Sequence, residues 1–376
     1  MKIAINTRFL LPTKLEGFGW FTHEVVKRIV QNNPEHEFYF FFDRKYDSKF
    51  IYGDNVTPIV INPPARHPFL YYLWFEFGVK KALRKHNIDV FLSPDGYLSL
   101  GSDVKQIPVI HDLSFVHYPE DLPFLNEKYV NHYFPKFAKK ASKIITVSEY
   151  SKSDIEKSFG ISEDKITVAH NGIGDFFQPI LEEKKKETRS KFTNGKEYFL
   201  FVSALQPRKN VTKLFEAFDQ FKKETKSDVK LLMVGEKYWW NKEIKQVFDA
   251  MTYQSEVIFT GHIQAEDLKN VYGAGLALTY VSYFEGFGIP LVEAMKCELP
   301  IISSDKTSLP EVGGEAAIYV NPFSTEDIKN GMLRIFKDQS LREELIENGK
   351  SRAQLFSWDK TAKIVWDTIV EVHEEN

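Results

Sequence analysis

At 376 residues the chain exceeds the usual size of one hydrophobic core, so its length predicts two domains. Apolar residues make up 43% and charged residues 27%, which is ordinary for a globular protein and suggests neither disorder nor a fibrous fold. A net charge of -3 offers no global field for nucleic acid, and a single cysteine, Cys297, excludes a disulfide framework and a cysteine-rich zinc site.

The N-terminal residues predict a strand, because Met1 to Ile5 lack the charged and long apolar regions of a signal peptide. The most apolar stretch, 69–79, is interrupted by Glu76 and is shorter than the roughly 20 residues that span a bilayer. We therefore expect a cytoplasmic protein without a transmembrane span.

Short β-rich runs alternate with helical patterns along both halves of the chain, which is typical of parallel sheets with crossover helices. The predicted strands are Ile3–Asn6, Glu37–Phe42, Val56–Ile61, Asp89–Ser93, Gln106–His111, Lys143–Val147 and Lys165–Ala169, then Tyr198–Val202, Lys230–Val234, Val257–Thr260, Leu276–Tyr280, Pro300–Ser303 and Ala317–Val320. The predicted fold class is α/β, with two Rossmann-like, doubly wound parallel-sheet domains facing a central cleft. Ligands of such sheets bind at the carboxyl ends of the strands.

The predicted domain boundary lies in the segment 172–196, which has turn residues and a charge run and reads as a linker followed by a solvated helix start. The predicted domains are 1–175 and 176–357. We expect the amphipathic segment 358–376 to be a terminal helix that packs back toward the N-terminal domain.

The strongest site signal is the run 283–295, which follows a predicted strand. Gly286 and Gly288 allow a sharp turn and close approach of a ligand, and Pro290 suits the first position of a helix. A helix start of this kind can bind a diphosphate. Glu285, before the glycines, and Glu293, expected in the first turn of the helix, would place carboxylates beside it; alternatively, Glu293 caps its own helix and Glu285 is a solvated loop residue.

A second cluster, 203–210, also lies between a strand and a helix. Arg208 and Lys209 could place two cations on a leaving diphosphate, and arginine can bind phosphate bidentately. The alternative is an exposed basic turn. Two such clusters in one domain favour a shared diphosphate site.

The first domain offers weaker signals. Gly17 and Gly19, in the run Glu16 to Trp20, are predicted to form a turn after the first strand that suits close approach by a ligand. His111, followed by Asp112, is predicted at the end of a strand, where an imidazole can orient hydroxyls or move protons; a histidine satisfied within the core is the alternative.

Together these motifs resemble family 4 retaining glycosyltransferases with the GT-B fold, and most closely their mannosyltransferase-B-like branch. The resemblance rests on the two acids of Glu285 to Glu293 with seven residues between them, on the later Pro310 to Gly313, and on the order of the remaining motifs along nearly the whole chain. One departure is Glu298, which stands where the family usually has glycine, so we expect the turn there to be built differently.

The resemblance implies a role for each matching residue. Glu285 would contact the donor-sugar hydroxyls, Glu293 the ribose, Arg208 and Lys209 the diphosphate, and His111 the transferred sugar. The remaining implied donor-binding residues are Gly17, Gly19, Asp112, Gly286, Phe287, Gly288, Ile289, Pro290, Leu291, His262 and Ile263. The resemblance also implies transfer with retention, without a metal or other cofactor, of a hexosyl group from a nucleoside-diphosphate sugar, GDP-mannose before UDP-sugars, to a glycan or lipid-linked glycan in cell-surface polysaccharide synthesis.

Other interpretations stay open at this point. A nucleotide-dependent oxidoreductase would need a third glycine after Gly17 and Gly19, which is missing, and an inactive sugar-nucleotide-binding relative would lack the site residues. The aromatic run 69–75, followed by the basic run 80–86, could lie on an anionic bilayer at the inner face of the membrane. We prefer a core helix with a cationic C-terminal end.

Overall fold

The computed structural model describes residues 1–12, 15, 17–237 and 240–375. The strands are β1 (Lys2–Asn6), β2 (Glu37–Phe42), β3 (Val56–Val60), β4 (Val90–Ser93), β5 (Lys105–Pro108), β6 (Ile144–Thr146), β7 (Ile166–Val168), β8 (Tyr198–Val202), β9 (Lys230–Val234), β10 (Val257–Gly261), β11 (Ala277–Tyr280), β12 (Ile301–Ser304) and β13 (Ala317–Val320). The helices are α1 (Gly17–Asn32), α2 (Pro68–Leu73), α3 (Lys80–Lys85), α4 (Ser114–His117), α5 (Phe124–Lys140), α6 (Glu149–Phe159), α7 (Glu182–Thr193), α8 (Val211–Thr225), α9 (Lys242–Asp249), α10 (Ala265–Ala274), α11 (Ile289–Lys296), α12 (Leu309–Gly313), α13 (Thr325–Lys337), α14 (Gln339–Ala353) and α15 (Trp358–Glu374).

The chain divides into two compact units. Unit 1 contains Met1–Gly172 and Ser357–Asn376, and unit 2 contains Ile173–Phe356. The C-terminal helix α15 packs in unit 1, where the hydroxyl of Thr361 donates to the carbonyl of His170 at 2.6 Å. The ammonium group of Lys105 donates to the carbonyl of Val372 at 2.9 Å, and a cation at this end of α15 is favoured by the helix dipole.

Unit 1 is built on a parallel sheet with the order β3-β2-β1-β4-β5, in which the strand order reverses between β1 and β4. The strand predicted at Gln106–His111 is β5, which ends earlier, at Pro108. Beyond Pro108 the amide of Val109 donates to Ser93 and the amide of Ile110 donates to Ile145, so the chain crosses from β4 toward the separate two-stranded sheet of β6 and β7.

Unit 2 is built on a parallel sheet with the order β10-β9-β8-β11-β12-β13. Its middle strands are apolar and buried, as in Phe199 to Phe201 of β8 and Ala277 to Leu278 of β11, because helices cover both faces of a parallel sheet. The strand order reverses between β8 and β11. The crevice at such a reversal is the usual ligand position in an open α/β sheet.

The apolar stretch after residue 68 forms a continuous helix, in which a π-helical segment, Trp74–Val79, joins α2 to α3. Its inner side is core, since Trp74, Phe75, Val79 and Leu83 are buried. The preferred interpretation of a core helix is thus confirmed for that side. Among the described residues, no helix is both long and apolar enough to cross a membrane.

We predict that Gly172→Ala destabilises unit 1, because a Cβ at this position would lie 2.1 Å from the backbone nitrogen of Trp358, at the start of α15. The free energy of unfolding should fall by about 2 kcal/mol, a typical cost of overpacking. Urea denaturation followed by circular dichroism measures it. Gly174→Ala is the matched control, since its Cβ meets nothing within 4 Å, and equal losses in both variants would contradict this account of how α15 docks.

Candidate active site at the strand reversal of unit 2

The site is centred on the carboxylate of Glu285, which holds two cations. Arg208 donates from Nη1 to Oε2 at 2.7 Å, and Lys209 donates from Nζ to Oε1 at 2.5 Å. The hydroxyl of Tyr280 donates to Oε1 at 2.9 Å. The cations follow β8 and the carboxylate follows β11, so the two predicted clusters meet where the strand order reverses.

The burial of these side chains decides between a ligand site and the two alternatives that the sequence left open. Glu285 is 5% exposed and Lys209 is 6% exposed, so the alternatives of a solvated loop carboxylate and an exposed basic turn are wrong. Burial raises the pKa of Glu285, but the charges of Arg208 and Lys209 outweigh it and lower the pKa to about 2. The carboxylate is therefore ionised at neutral pH, and the three side chains together carry one net positive charge.

Backbone conformation fixes the loops that carry these side chains. Asn210 adopts a left-handed conformation (φ 59°) after Lys209, and its side-chain amide donates to the carbonyls of Val281 and Pro322 at 3.0 and 2.7 Å. Thr307, a β-branched residue, is also left-handed (φ 57°), and its hydroxyl accepts from the amide of Glu285 at 3.1 Å. A β-branched residue in this region is strained, and such strain is common at functional sites.

The predicted glycine turn opens α11 as expected. Gly288 is left-handed (φ 101°) and precedes the helix, and a Cβ there would lie 2.6 Å from Leu309. The side chains of Phe287 and Leu291 are buried in unit 2, and the amide of Leu291 already donates to the carbonyl of Gly288. Pro290 has no amide proton. Neither Pro290 nor Leu291 therefore offers an unused backbone N–H to the nucleotide sugar.

Glu293 lies in the second turn of α11 and not in the first, which corrects the sequence prediction. It does not cap its helix either, since its Oε2 accepts from the hydroxyl of Tyr272 at 2.5 Å. Burial raises the pKa of Glu293 to about 7, although the hydrogen bond from Tyr272 opposes this shift. The two acids of the motif thus have opposite pKa shifts.

The turn after α11 corrects a second expectation. Glu298 takes a left-handed conformation (φ 55°), the conformation that a glycine would supply at this position. Its amide donates to the carbonyl of Met295, and its carboxylate lies 3.4 Å from the ammonium group of Lys350. The turn is therefore not built differently, as the sequence predicted. Glu298 adopts the left-handed backbone conformation that glycine would adopt there.

In unit 1, the predicted glycine turn is part of a helix. Gly17 and Gly19 lie in the first turn of α1, whereas Glu16 lies outside the described residues. Gly19 is buried, and a Cβ there would lie 2.8 Å from the carbonyl oxygen of Phe9, so close packing explains this glycine. A Cβ on Gly17 would meet nothing within 4 Å, which leaves room for a ligand.

His111 lies beneath α1 in unit 1. Its ring packs against Phe18 and Phe21, and Nε2 lies 2.9 Å from the carbonyl oxygen of Pro94. Burial lowers the pKa of His111, against the raising effects of this carbonyl and of Asp112. The neutral ring must donate from Nε2, since a carbonyl can only accept, and so Nδ1 is an acceptor. Asp112 accepts from the amide of Ser114 at the start of α4.

His262 and Ile263 follow β10, at the edge of the unit 2 sheet and two strands from β8. His262 is exposed and Ile263 is partly buried. They share the carboxyl edge of the sheet with Glu285. The structure gives them no contact with the Glu285 cluster among its described interactions.

Sequence reasoning missed several residues that support the site. Tyr280 and Tyr272 each donate a hydroxyl to one of the two glutamates, and neither belongs to a recognisable motif. In unit 1 it also missed Arg8, whose Nε donates to Asp95 at 2.5 Å. The position of Tyr280 at the last residue of β11 could have indicated its role. No group of three or more metal-ligating side chains occurs within the described part of the chain.

We predict that Glu293→Gln changes the pH dependence of stability. The pKa of Glu293 is about 7 in the folded protein against 4.5 normally, so its contribution is fully present below pH 4.5 and is lost as the pH rises through 7. Glutamine cannot lose a proton. The variant should match the wild type at pH 4 and exceed its free energy of unfolding by about 3 kcal/mol at pH 8.

Urea denaturation at both pH values measures this difference. The matched control is Glu344→Gln, which changes an exposed glutamate on α14 and should leave the pH dependence unaltered. A constant offset between wild type and Glu293→Gln at both pH values would show that the pKa of Glu293 is not raised.

Both halves of the chain match families of glycosyltransferases. The model of the family "Glycosyl transferases group 1" matches residues 182–352, and that of "Glycosyltransferase Family 4" matches residues 16–175. The O-antigen chain mannosyltransferase B of Escherichia coli is 28% identical over 96% of this chain and 97% of its own length. The O-antigen chain mannosyltransferase RfbU of Salmonella typhimurium is 31% identical over 58% of this chain and 57% of its own.

Solved structures support the same fold. Sucrose-phosphate synthase of Thermosynechococcus elongatus superposes with a TM-score of 0.78 at 18% identity, covering 98% of each chain. Anabaena Alr3699/HepE in complex with UDP-glucose superposes with a TM-score of 0.76 at 17% identity, covering 99% of this chain and 100% of that one. The chain belongs to the family 4 (group 1) glycosyltransferases and has the GT-B fold.

Proposed function

We propose that this glycosyltransferase moves a hexosyl group, with mannose favoured, from a nucleoside-diphosphate sugar to a glycan or lipid-linked glycan acceptor. The observation that carries the proposal is the buried ion cluster of Glu285, Arg208 and Lys209 at the strand reversal of unit 2. Its net positive charge and the N-terminal end of α11 favour a dianionic group. The carboxylate can accept hydrogen bonds from sugar hydroxyls.

The chemistry of transfer follows from these charges. When the bond between the sugar and the diphosphate breaks, negative charge grows on the departing phosphate oxygens. Arg208 and Lys209 are fixed cations in a largely buried site, where such charges stabilise a transition state most strongly. They could supply the positive charge that a metal supplies in other enzymes, so we propose a metal-independent reaction with no cofactor.

GDP-mannose is the donor that we favour, with UDP-sugars next. Support comes from the relatives named as O-antigen mannosyltransferases, while one matched structure holds UDP-glucose. The names of the same relatives support a role in the synthesis of a cell-surface polysaccharide. We propose that the transfer takes place in the cytoplasm, at the inner face of the membrane. Retention of the anomeric configuration, implied by the resemblance, is tested by following the anomeric proton of the product by NMR.

We predict that Arg208→Ala weakens binding of the cognate nucleoside diphosphate by about 10- to 100-fold, the range for one hydrogen bond to a charged group. Calorimetric titration of GDP and UDP measures the affinity and also identifies the base. Lys213→Ala removes a cation in the first turn of α8, where it pairs with Glu216, and is the matched control. If GDP, UDP and ADP all fail to bind the folded wild type, the proposed donor site is wrong.

We predict that Glu285→Gln separates donor binding from transfer. The substitution leaves Arg208 and Lys209 without their carboxylate, so a diphosphate should bind at least as tightly as before. Transfer should fall by about 100-fold or more, in the range for a preorganised transition-state contact. Release of GDP from GDP-mannose, with mannosides as acceptors, measures it.

The control for Glu285→Gln is Glu298→Gln, which changes a partly exposed glutamate in the turn after α11 and should leave both quantities unchanged. Equal loss of diphosphate binding and transfer in Glu285→Gln would indicate that the carboxylate only holds the loops together. An inactive binding relative would bind the nucleotide and yet release none from the sugar in the wild type.

A further inference from the structure

Two aromatic rings lie at the carboxyl edge of the unit 2 sheet, in loops that adjoin the Glu285 cluster. Tyr283 follows β11 and Phe323 follows β13, and we call these two residues the aromatic pair. Their rings are nearly parallel, with an angle of 22° between them and centroids 6.2 Å apart. Phe323 is 58% exposed, whereas Phe284 and Phe287, in the same loop as Tyr283, are buried. The pair therefore presents a flat apolar surface to the solvent.

The loops that carry the aromatic pair are tied to the loop of the two cations. The backbone amide of Tyr283 donates to the carbonyl of Arg208 at 3.0 Å. The side-chain amide of Asn210 donates to the carbonyl of Pro322, in the loop after β13, at 2.7 Å. Two residues of extended chain span at most about 7 Å, so the backbone of Tyr283 lies close to that of Glu285. The aromatic pair is thus continuous with the candidate active site.

The exposed ring of Phe323 is carried by a fixed backbone. Its amide donates to the side-chain oxygen of Asn321 at 3.0 Å, and the amide of Asn321 donates to Asp327 at 2.6 Å. Polar groups border the ring, since the hydroxyl of Thr325, two residues later, donates to Glu216 at 2.7 Å. A ring that is already held in place loses little conformational entropy when a ligand covers it.

We propose that the aromatic pair binds a sugar ring of the glycan acceptor, an inference that rests on the proposed function. The face of an aromatic ring carries partial negative charge, which suits the C–H groups on one face of a pyranose, while the hydroxyls at the edge of the sugar bond to polar neighbours. In the proposed function Glu285 contacts the donor sugar. An acceptor sugar on the aromatic pair would therefore lie next to the sugar that is transferred.

Two other occupants fit these rings less well. A nucleobase could stack on them, but the ribose and the diphosphate separate the base of the donor from the sugar that Glu285 contacts. A protein partner needs about 800 Å² on each side. Among the described residues, the loops after β8, β11 and β13 offer no large apolar side chain as exposed as that of Phe323.

The experiment compares acceptor kinetics of the full chain with nucleotide binding. The probe is the best wild-type acceptor among the mono- and trisaccharides of mannose, galactose and N-acetylglucosamine, at saturating donor. Phe323→Ala should raise the KM for this acceptor by about tenfold, as expected for the loss of one aromatic contact, with kcat nearly unchanged. Phe323→Trp keeps a flat ring and should keep the KM near that of the wild type. Phe323→Leu keeps apolar volume without a flat face and should resemble Phe323→Ala.

The matched control is Leu355→Ala, which removes a side chain that is 53% exposed in unit 2, after α14, and should leave the KM unchanged. Calorimetry should give the same affinity for the nucleoside diphosphate in every variant, which also shows that unit 2 is folded.

The proposal is overturned if Phe323→Ala leaves the KM unchanged, or if Phe323→Leu restores it as well as Phe323→Trp does. It is also overturned if Phe323→Ala weakens nucleotide binding, as the loss of a stacked base would. A wild type that binds no nucleotide overturns the proposed function and this inference together. An active wild type whose acceptor KM does not respond to Phe323→Ala overturns this inference alone.

Discussion

The buried ion cluster of Glu285 is the interaction on which the rest of unit 2 depends. Withdrawing a carboxylate and two cations from water is costly, and the cost is recovered only when each charge is paired and hydrogen-bonded. Here both cations donate to the carboxylate of Glu285. The side-chain amide of Asn210 holds the loop after β8 against the loop after β11, which keeps the charged groups in place. Thr307 supports the backbone of Glu285 from a strained conformation. The loops are thereby ordered before any ligand arrives, which lowers the entropic cost of binding.

Unit 1 also has a buried ion pair at the point where its strand order reverses, but this pair is enclosed by aromatic rings. Arg8 follows β1 and Asp95 follows β4, the two strands at which the order of that sheet reverses. Rings enclose the guanidinium, with Tyr97 and Phe9 centroids at 4.5 and 4.9 Å. The charge of Asp95 raises the pKa of Arg8 despite burial, so the guanidinium stays charged. Arg8 is enclosed by aromatic rings and stabilises the sheet. Arg208, with 23% of its side chain exposed, can reach a ligand.

Most strands were predictable because they are short apolar runs, rich in β-branched or aromatic residues, that lie buried in a parallel sheet. Glu37–Phe42 and Tyr198–Val202 have the predicted bounds. Motif residues were predictable where glycine or proline imposes a backbone geometry, as at Gly288. Local pattern could not reveal partners that are distant in sequence, such as Tyr272, 21 residues before Glu293, or Asp95, which pairs with Arg8 across the sheet. Nor could it show that Gly19 is required by packing against Phe9 within a helix.

The two glutamates of the motif are separated chemically by their surroundings. Paired with two cations, Glu285 has a pKa of about 2 and stays a fixed negative charge. Partly buried beside the neutral hydroxyl of Tyr272, Glu293 has a pKa of about 7 and exchanges its proton near neutrality. Environments that push two such pKa values apart give two acids different roles. Glu285 can therefore only accept hydrogen bonds from a ligand, whereas Glu293 can accept or donate one, so a hydroxyl that binds it as a donor does so more strongly as the pH rises.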